Sequence, residues 1–87
     1  MKEQAKTSVL KELRTIPGVG KEIAEDLWSL KIRSVKDLKK KSPEEMYRKL
    51  CVLAGGHVDR CMLYVLRCAV RYASNRNPKL KWWDFKD

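Results

Sequence analysis

The sequence predicts an all-α fold of about five helices, and three observations carry that reading. Only four glycines and three prolines interrupt the 87 residues. No stretch alternates apolar and polar residues as a half-buried strand does. Apolar residues instead recur at three- and four-residue intervals through most of the chain, the spacing that gathers them on one side of a helix.

From Thr7, the apolar residues Val9, Leu10, Leu13 and Ile16 line one face of a first helix that is expected to run to Pro17. After Gly20 a second helix carries Ile23, Ala24, Leu27, Trp28 and Leu30 inward and Lys21, Glu22, Glu25 and Asp26 outward. Its early carboxylates suit the positive end of the helix dipole. Ser34 is placed to cap a short connector helix through Val35 and Leu38. Ser42-Pro43-Glu44-Glu45 is a capping box with proline in the first turn, so a fourth helix starts near Pro43. It holds Met46, Tyr47, Leu50, Val52 and Leu53 and should stop at Gly55-Gly56, where left-handed backbone is readily adopted.

The last helix is expected from His57 to Asn75. Val58, Cys61, Met62, Val65, Cys68, Ala69, Tyr72 and Ala73 form one stripe, which Leu63, Leu66 and Val70 widen beyond half the circumference. A helix apolar on most sides is a central one. Asn77-Pro78 breaks it. The chain therefore reads as one helical domain over residues 1–76 and a basic, aromatic tail over 77–87, expected to fold back on the thin core through Leu80, Trp82 or Trp83, and Phe85.

Composition bounds the function. At 10.2 kDa the chain allows one domain and leaves little interior for an enclosed active site. Twenty basic against 11 acidic residues leave a charge of +9, which favours polyanionic partners. No apolar run approaches the roughly 18 residues of a membrane span, and the N-terminus lacks the apolar stretch of a signal peptide, so no membrane partner and a cytoplasmic location are expected. The odd set Cys51, Cys61 and Cys68 lies in apolar stretches and reads as reduced thiols. His57 and Cys61, four apart on the expected last helix, lack the partners of a zinc site, and apolar surroundings would raise the Cys61 thiol rather than activate it. No metal, no cofactor and no enzymatic activity are expected.

One internal likeness organises the chain. Leu13 to Ala24 has the layout of Leu50 to Cys61, displaced by 37 positions: helix, glycine turn, helix with a small residue at matching depth. Two such units can bury their faces on each other, with Ser34 to Lys41 as connector.

The first copy carries the chemistry. In Ile16-Pro17-Gly18-Val19-Gly20-Lys21, two glycines flank one apolar residue, which permits a tight hairpin with Val19 plugged between the helices. The free amides of Gly18, Val19, Gly20 and Lys21 would then face outward at a helix N-terminus, beside the Lys21 ammonium, as a phosphate cradle. This stretch resembles the helix-hairpin-helix motif. From Ile16 to Asp87 the chain resembles the small pathogenicity-locus helix-hairpin-helix family, some members of which are labelled mitomycin-resistance proteins, and is more distantly similar to the C-terminal domain of the competence regulator TfoX. The likeness rests on Ile16 to Lys21, Ala24-Glu25-Asp26-Leu27, Ile32 to Leu38, Asp59-Arg60-Cys61, Tyr64 to Val70 and Lys81-Trp82-Trp83-Asp84. It implies a tandem helix-hairpin-helix domain without established enzymatic activity, whose hairpin amides and lysines hold duplex DNA without reading its sequence. Gly55, Gly56 and His57 form a candidate second hairpin that departs from the pattern.

The basic run after the hairpin, Lys31 to Lys41, adds Arg33, Lys39 and Lys40 as candidate sources of long-range attraction. Arg60, Arg67 and Arg71 read as a water-facing stripe on the last helix. The expected function is a sequence-independent DNA-binding module for double-stranded or branched DNA. The alternative is a protein-interaction adaptor whose hairpin is purely structural.

Overall fold

Proline decides where the first helix ends. In the computed structural model, which describes residues 6–86, α1 spans Lys6–Leu13 rather than reaching Pro17. Pro17 has no N–H to give the Leu13 carbonyl four residues back, and its ring would clash with that carbonyl in a continuing helix, so the chain leaves through short turns, Thr15 N–H to Glu12 C=O at 3.1 Å and Ile16 N–H to Leu13 C=O at 3.2 Å. Helix α2 covers Lys21–Ser29, a 3₁₀ connector turn Val35–Leu38, α3 Pro43–Ala54, α4 Cys61–Asn75 and a 3₁₀ tail turn Trp82–Phe85. The described residues are thus all-helical, with four α-helices and no strand. The connector predicted as a helix is a single 3₁₀ turn. The beginning of the expected 1–76 domain, Met1 to Ala5, and the tail's last residue, Asp87, lie outside the described residues.

Helix α4 is the axis. Leu66, Cys68 and Ala69 are fully buried along it, and α3, the connector turn and the tail turn all pack on it. The core continues through Val9 and Leu13 of α1, Ile16 and Val19 of the first hairpin, Ala24 and Leu27 of α2, and Ile32, Val35 and Leu38 around the connector. Glu12 on α1 reaches across to accept the Val35 N–H at 2.9 Å, so the start of the connector is capped from another helix. The Arg67 guanidinium, on the stripe expected to face water, instead sews three elements together. It meets Glu44 at the start of α3 at 3.3 Å and donates to the Phe85 carbonyl of the tail turn at 2.8 Å.

Helix α4 also starts later than its apolar stripe suggested. His57 to Asp59 are not helical, because the Tyr47 hydroxyl donates to the Val58 carbonyl and Asp59 Oδ1 accepts the Cys61 N–H at 2.8 Å, a side-chain cap that begins the helix there. Cys61 therefore stands exposed in the first turn, and His57 is not on the helix at all.

Both α2 and α3 end in the same capping arrangement, with different residues in its left-handed position. After α3, Gly55 takes φ 78°, and the Gly55 and Gly56 amides donate to the Val52 and Cys51 carbonyls at 3.1 and 2.9 Å. After α2, the Lys31 and Ile32 amides donate to Trp28 and Leu27 at 2.9 and 3.0 Å, and the residue at φ 70° is Lys31. A side chain in left-handed backbone is strained, so Lys31→Gly is expected to raise stability by about 0.5–1 kcal/mol, seen as a melting temperature higher by about 2–8 °C.

Candidate nucleic-acid interface

The first hairpin is a tight turn closed by Val19 N–H donating to Ile16 C=O at 3.0 Å. Pro17 supplies its first central residue and Gly18, at φ 87°, its second, the arrangement of a type II turn in which glycine is favoured. The turn drives Val19 into the core, where it is 6% exposed. It also spends the Val19 amide, so the phosphate cradle loses one of its four expected donors. Gly20 then caps α2 in extended backbone (φ −98°, ψ −165°) with no side-chain cap. Among the described residues, the amides of Gly18, Gly20 and Lys21 meet no acceptor, and the Lys21 side chain is exposed beside them. This is a helix start without a side-chain cap, its positive dipole end met by Glu22 in the first turn.

The second glycine pair is built differently, and one substitution explains it. The position matching Pro17 is Ala54, which lets α3 continue to its end, whereas α1 stops at Leu13. Gly55 keeps a positive φ like Gly18, but both glycine amides turn back onto α3. His57 is exposed in the following loop, and no residue corresponds to the Val19 plug, since Gly56 stands there. Gly55, Gly56 and His57 therefore do not present a row of open amides.

Of the other candidate residues, Arg33 is committed elsewhere. Its guanidinium lies over the Trp28 ring at 3.6 Å and donates to the Trp28 carbonyl at 2.8 Å, closing the C-terminal end of α2. Lys39 and Lys40 are exposed in the turn after the connector, and among the described residues no bond joins them to the hairpin.

The tail is the neighbour that sequence reasoning did not place at the hairpin. Trp82 is half-buried on the core and packs so closely on Gly18 that a Cβ there would stand 3.0 Å from Trp82 Cδ1. The Pro17 carbonyl in turn accepts from the Cys68 thiol at 3.7 Å. Trp83 meets Trp82 edge-on at 5.7 Å but remains 51% exposed, with the Lys81 ammonium 5.8 Å from its ring. Trp82 thus ties the tail turn to the hairpin at Gly18. Sequence-distant contacts of this kind leave no local signature, although the small size of Gly18 marks a place where something can come close.

The thiols behave as their surroundings dictate. Burial, helped by the Asp84 carboxylate, pushes Cys68 above the ordinary thiol range. Cys61 is raised too, first by its hydrogen bond to Asp59 and only second by the desolvation the sequence suggested. Iodoacetamide labelling followed by mass spectrometry should modify Cys61 of the native protein more slowly than a free thiol, and Asp59→Asn should speed it several-fold. Cys68 should react only on unfolding. Among the described residues, no group of three or more His, Cys, Asp or Glu side chains is placed to hold a metal ion, and no helix is long and apolar enough to cross a membrane.

Fold and hairpin together define a small all-helical domain with an open, glycine-capped helix start on its surface. The chain belongs to the pathogenicity-locus family, Cdd1, whose model matches residues 6–87. It is similar to the mitomycin resistance protein McrB of Streptomyces lavendulae, 27% identical over 74 residues that cover 85% of this chain and 70% of that protein. No solved structure matches it. Neither the family's description nor the relative's name denotes a reaction.

Proposed function

We propose that this chain is a non-enzymatic, sequence-independent DNA-binding module of the helix-hairpin-helix type, which grips the phosphate backbone of duplex or branched DNA. The observation that carries the reading is that the amides of Gly18, Gly20 and Lys21, in the hairpin and at the start of α2, meet no acceptor and have no side-chain cap, with the exposed Lys21 side chain in the same stretch. Such a set accepts a phosphate oxygen without reorganising. Lys81 and Trp83, the chain neighbours of the Trp82 that packs on Gly18, would supply a cation for a second phosphate and a ring face for an unpaired base at a branch or end. Lys39 and Lys40 act through the overall field rather than by contact, within the chain's charge of +9. Phosphate contacts position a protein without reading bases, so no sequence preference is expected. The name of the Streptomyces relative adds mitomycin resistance as the setting in which such binding would act.

Gly20→Asp tests this reading while keeping the fold. Gly20 has open space around its Cα and the extended backbone of a helix cap, so aspartate fits, and its carboxylate would occupy the amides that the phosphate needs. Stability is expected to stay level or rise by a few tenths of a kcal/mol, while affinity for a short duplex falls by about tenfold or more. Lys21→Glu should weaken binding similarly. With about three to five phosphates neutralised, wild-type affinity should drop on the order of a hundredfold between about 50 and 200 mM salt. Amide-resolved NMR titration should centre on Gly18 to Lys21. Salt-insensitive binding, or full affinity in Gly20→Asp, would refute the proposal.

A further inference from the structure

Helix α3 has a second face. Met46 and Leu50 point into the core, but Glu45, Arg48, Lys49, Val52 and Leu53 follow the three-and-four spacing of one continuous stripe on the opposite side, and all five are exposed. Val52 and Leu53, which the apolar pattern assigned to the helix's packing set, are 76% and 62% exposed. This stripe forms one wall of an open groove of about 740 Å³ whose other wall is the end of α2, Ser29 to Lys31, with Lys41 completing the rim.

We propose that this groove is a docking surface for an acidic amphipathic helix of a partner protein. Charge identifies the occupant. Lys31, Lys41, Arg48 and Lys49 ring the apolar floor of Leu30, Val52 and Leu53 against one acid, Glu45. Among the described residues, none of the four cations is engaged in an ion pair. An apolar patch rimmed by unneutralised charge of one sign fits a partner that brings aliphatic side chains flanked by carboxylates. The stripe from Glu45 to Leu53 is about 12 Å long at helical rise, which matches two to three turns of a partner helix.

Other occupants fit less well. A second copy of this chain in a symmetric interface would set the same four cations against themselves. Nucleic acid would satisfy the charges but leave Val52 and Leu53 without an apolar partner, and the floor has no aromatic ring on which a base could stack. Lys31 points the same way. It holds a left-handed position that glycine fills after α3, and its side chain stands on the rim of the groove.

The test uses the whole chain and, as probe, a synthetic amphipathic peptide of about 14 residues with leucines along one face and glutamates beside them. NMR titration should give saturable shifts at Leu30, Lys31, Lys49, Val52 and Leu53, and a peptide with lysine in place of glutamate should bind about tenfold more weakly or worse. The double variant Val52→Ser with Leu53→Ser, at positions already exposed, should keep its melting temperature and its DNA affinity while losing about tenfold or more in peptide affinity. Lys31→Gly should bind the peptide more weakly although it is the more stable protein. The proposal is overturned if shifts fail to appear up to millimolar peptide or fall on Gly18 to Lys21 instead. It is equally overturned if the lysine peptide binds as well, if sedimentation shows a dimer that the Val52 and Leu53 variant breaks, or if DNA or phosphatidylserine vesicles move the groove signals and the peptide does not.

Discussion

Leu66→Ala should cost about 3 kcal/mol of stability, within the range of about 2–5 measured for such truncations in cores. Leu66 is fully buried at the middle of α4, the helix on which α3, the connector turn and the tail turn all pack. The cavity would therefore open where several elements meet, and none of them can collapse into it without leaving another contact. A domain of this size has only about 4–13 kcal/mol in total, so the melting temperature should fall by roughly 12–24 °C, and part of the population should be unfolded at 37 °C. Thermal and urea unfolding followed by circular dichroism measure this directly. Leu53→Ala is the matched comparison. The same truncation at a side chain 62% exposed should change stability by no more than about 0.5 kcal/mol. Equal losses at the two positions would contradict the assignment of α4 as the axis of the fold.

The second large effect is expected at Gly18. Alanine there must adopt φ 87° and place its methyl 3.0 Å from Trp82 Cδ1, so both the turn and the tail are disturbed. The expected loss is about 1–3 kcal/mol. A double-mutant cycle separates the two causes. In a Trp82→Ala background the steric part disappears and only the backbone strain remains, so Gly18→Ala should cost less there than in the wild type, with a coupling of about 0.5 kcal/mol or more. Additive losses would mean that the tail does not press on the hairpin. Because Gly18→Ala perturbs folding, it is a poor probe of phosphate binding. Gly20, with open space around it, is the position at which binding and stability separate.

Much of the fold was legible in the sequence because its signals are local. The start of α3 follows from Ser42, whose hydroxyl accepts the Glu45 N–H at 3.3 Å with Pro43 in the first turn. The end of α3 follows from Gly55, and the burial of Met62, Val65, Leu66, Cys68 and Ala69 from their spacing. The Pro-Gly hairpin and the buried Val19 were legible for the same reason, since a proline followed by a glycine restricts the turn to one shape. Apolar spacing places the start of α4 at His57, whereas the carboxylate of Asp59 caps the helix and begins it later. Apolar spacing carries α1 on to Ile16, but Pro17 cannot pair with the Leu13 carbonyl, and the helix ends at Leu13.

The all-helical class, most helix ends and the glycine hairpin that opens α2 are thus local matters, each set by residues within a few positions of one another. Which of the chain's polar groups remain available is a matter of long-range packing. Arg33 is stacked on Trp28, Arg67 ties α3 to the tail, the Gly55 and Gly56 amides return to α3, and Trp82 lies on Gly18, while Gly20, Lys21 and the rim of the α3 groove stay open. Availability depends on which distant segments arrive at the same place. That depends on how the buried faces of all the helices pack together, not on the spacing within any one of them.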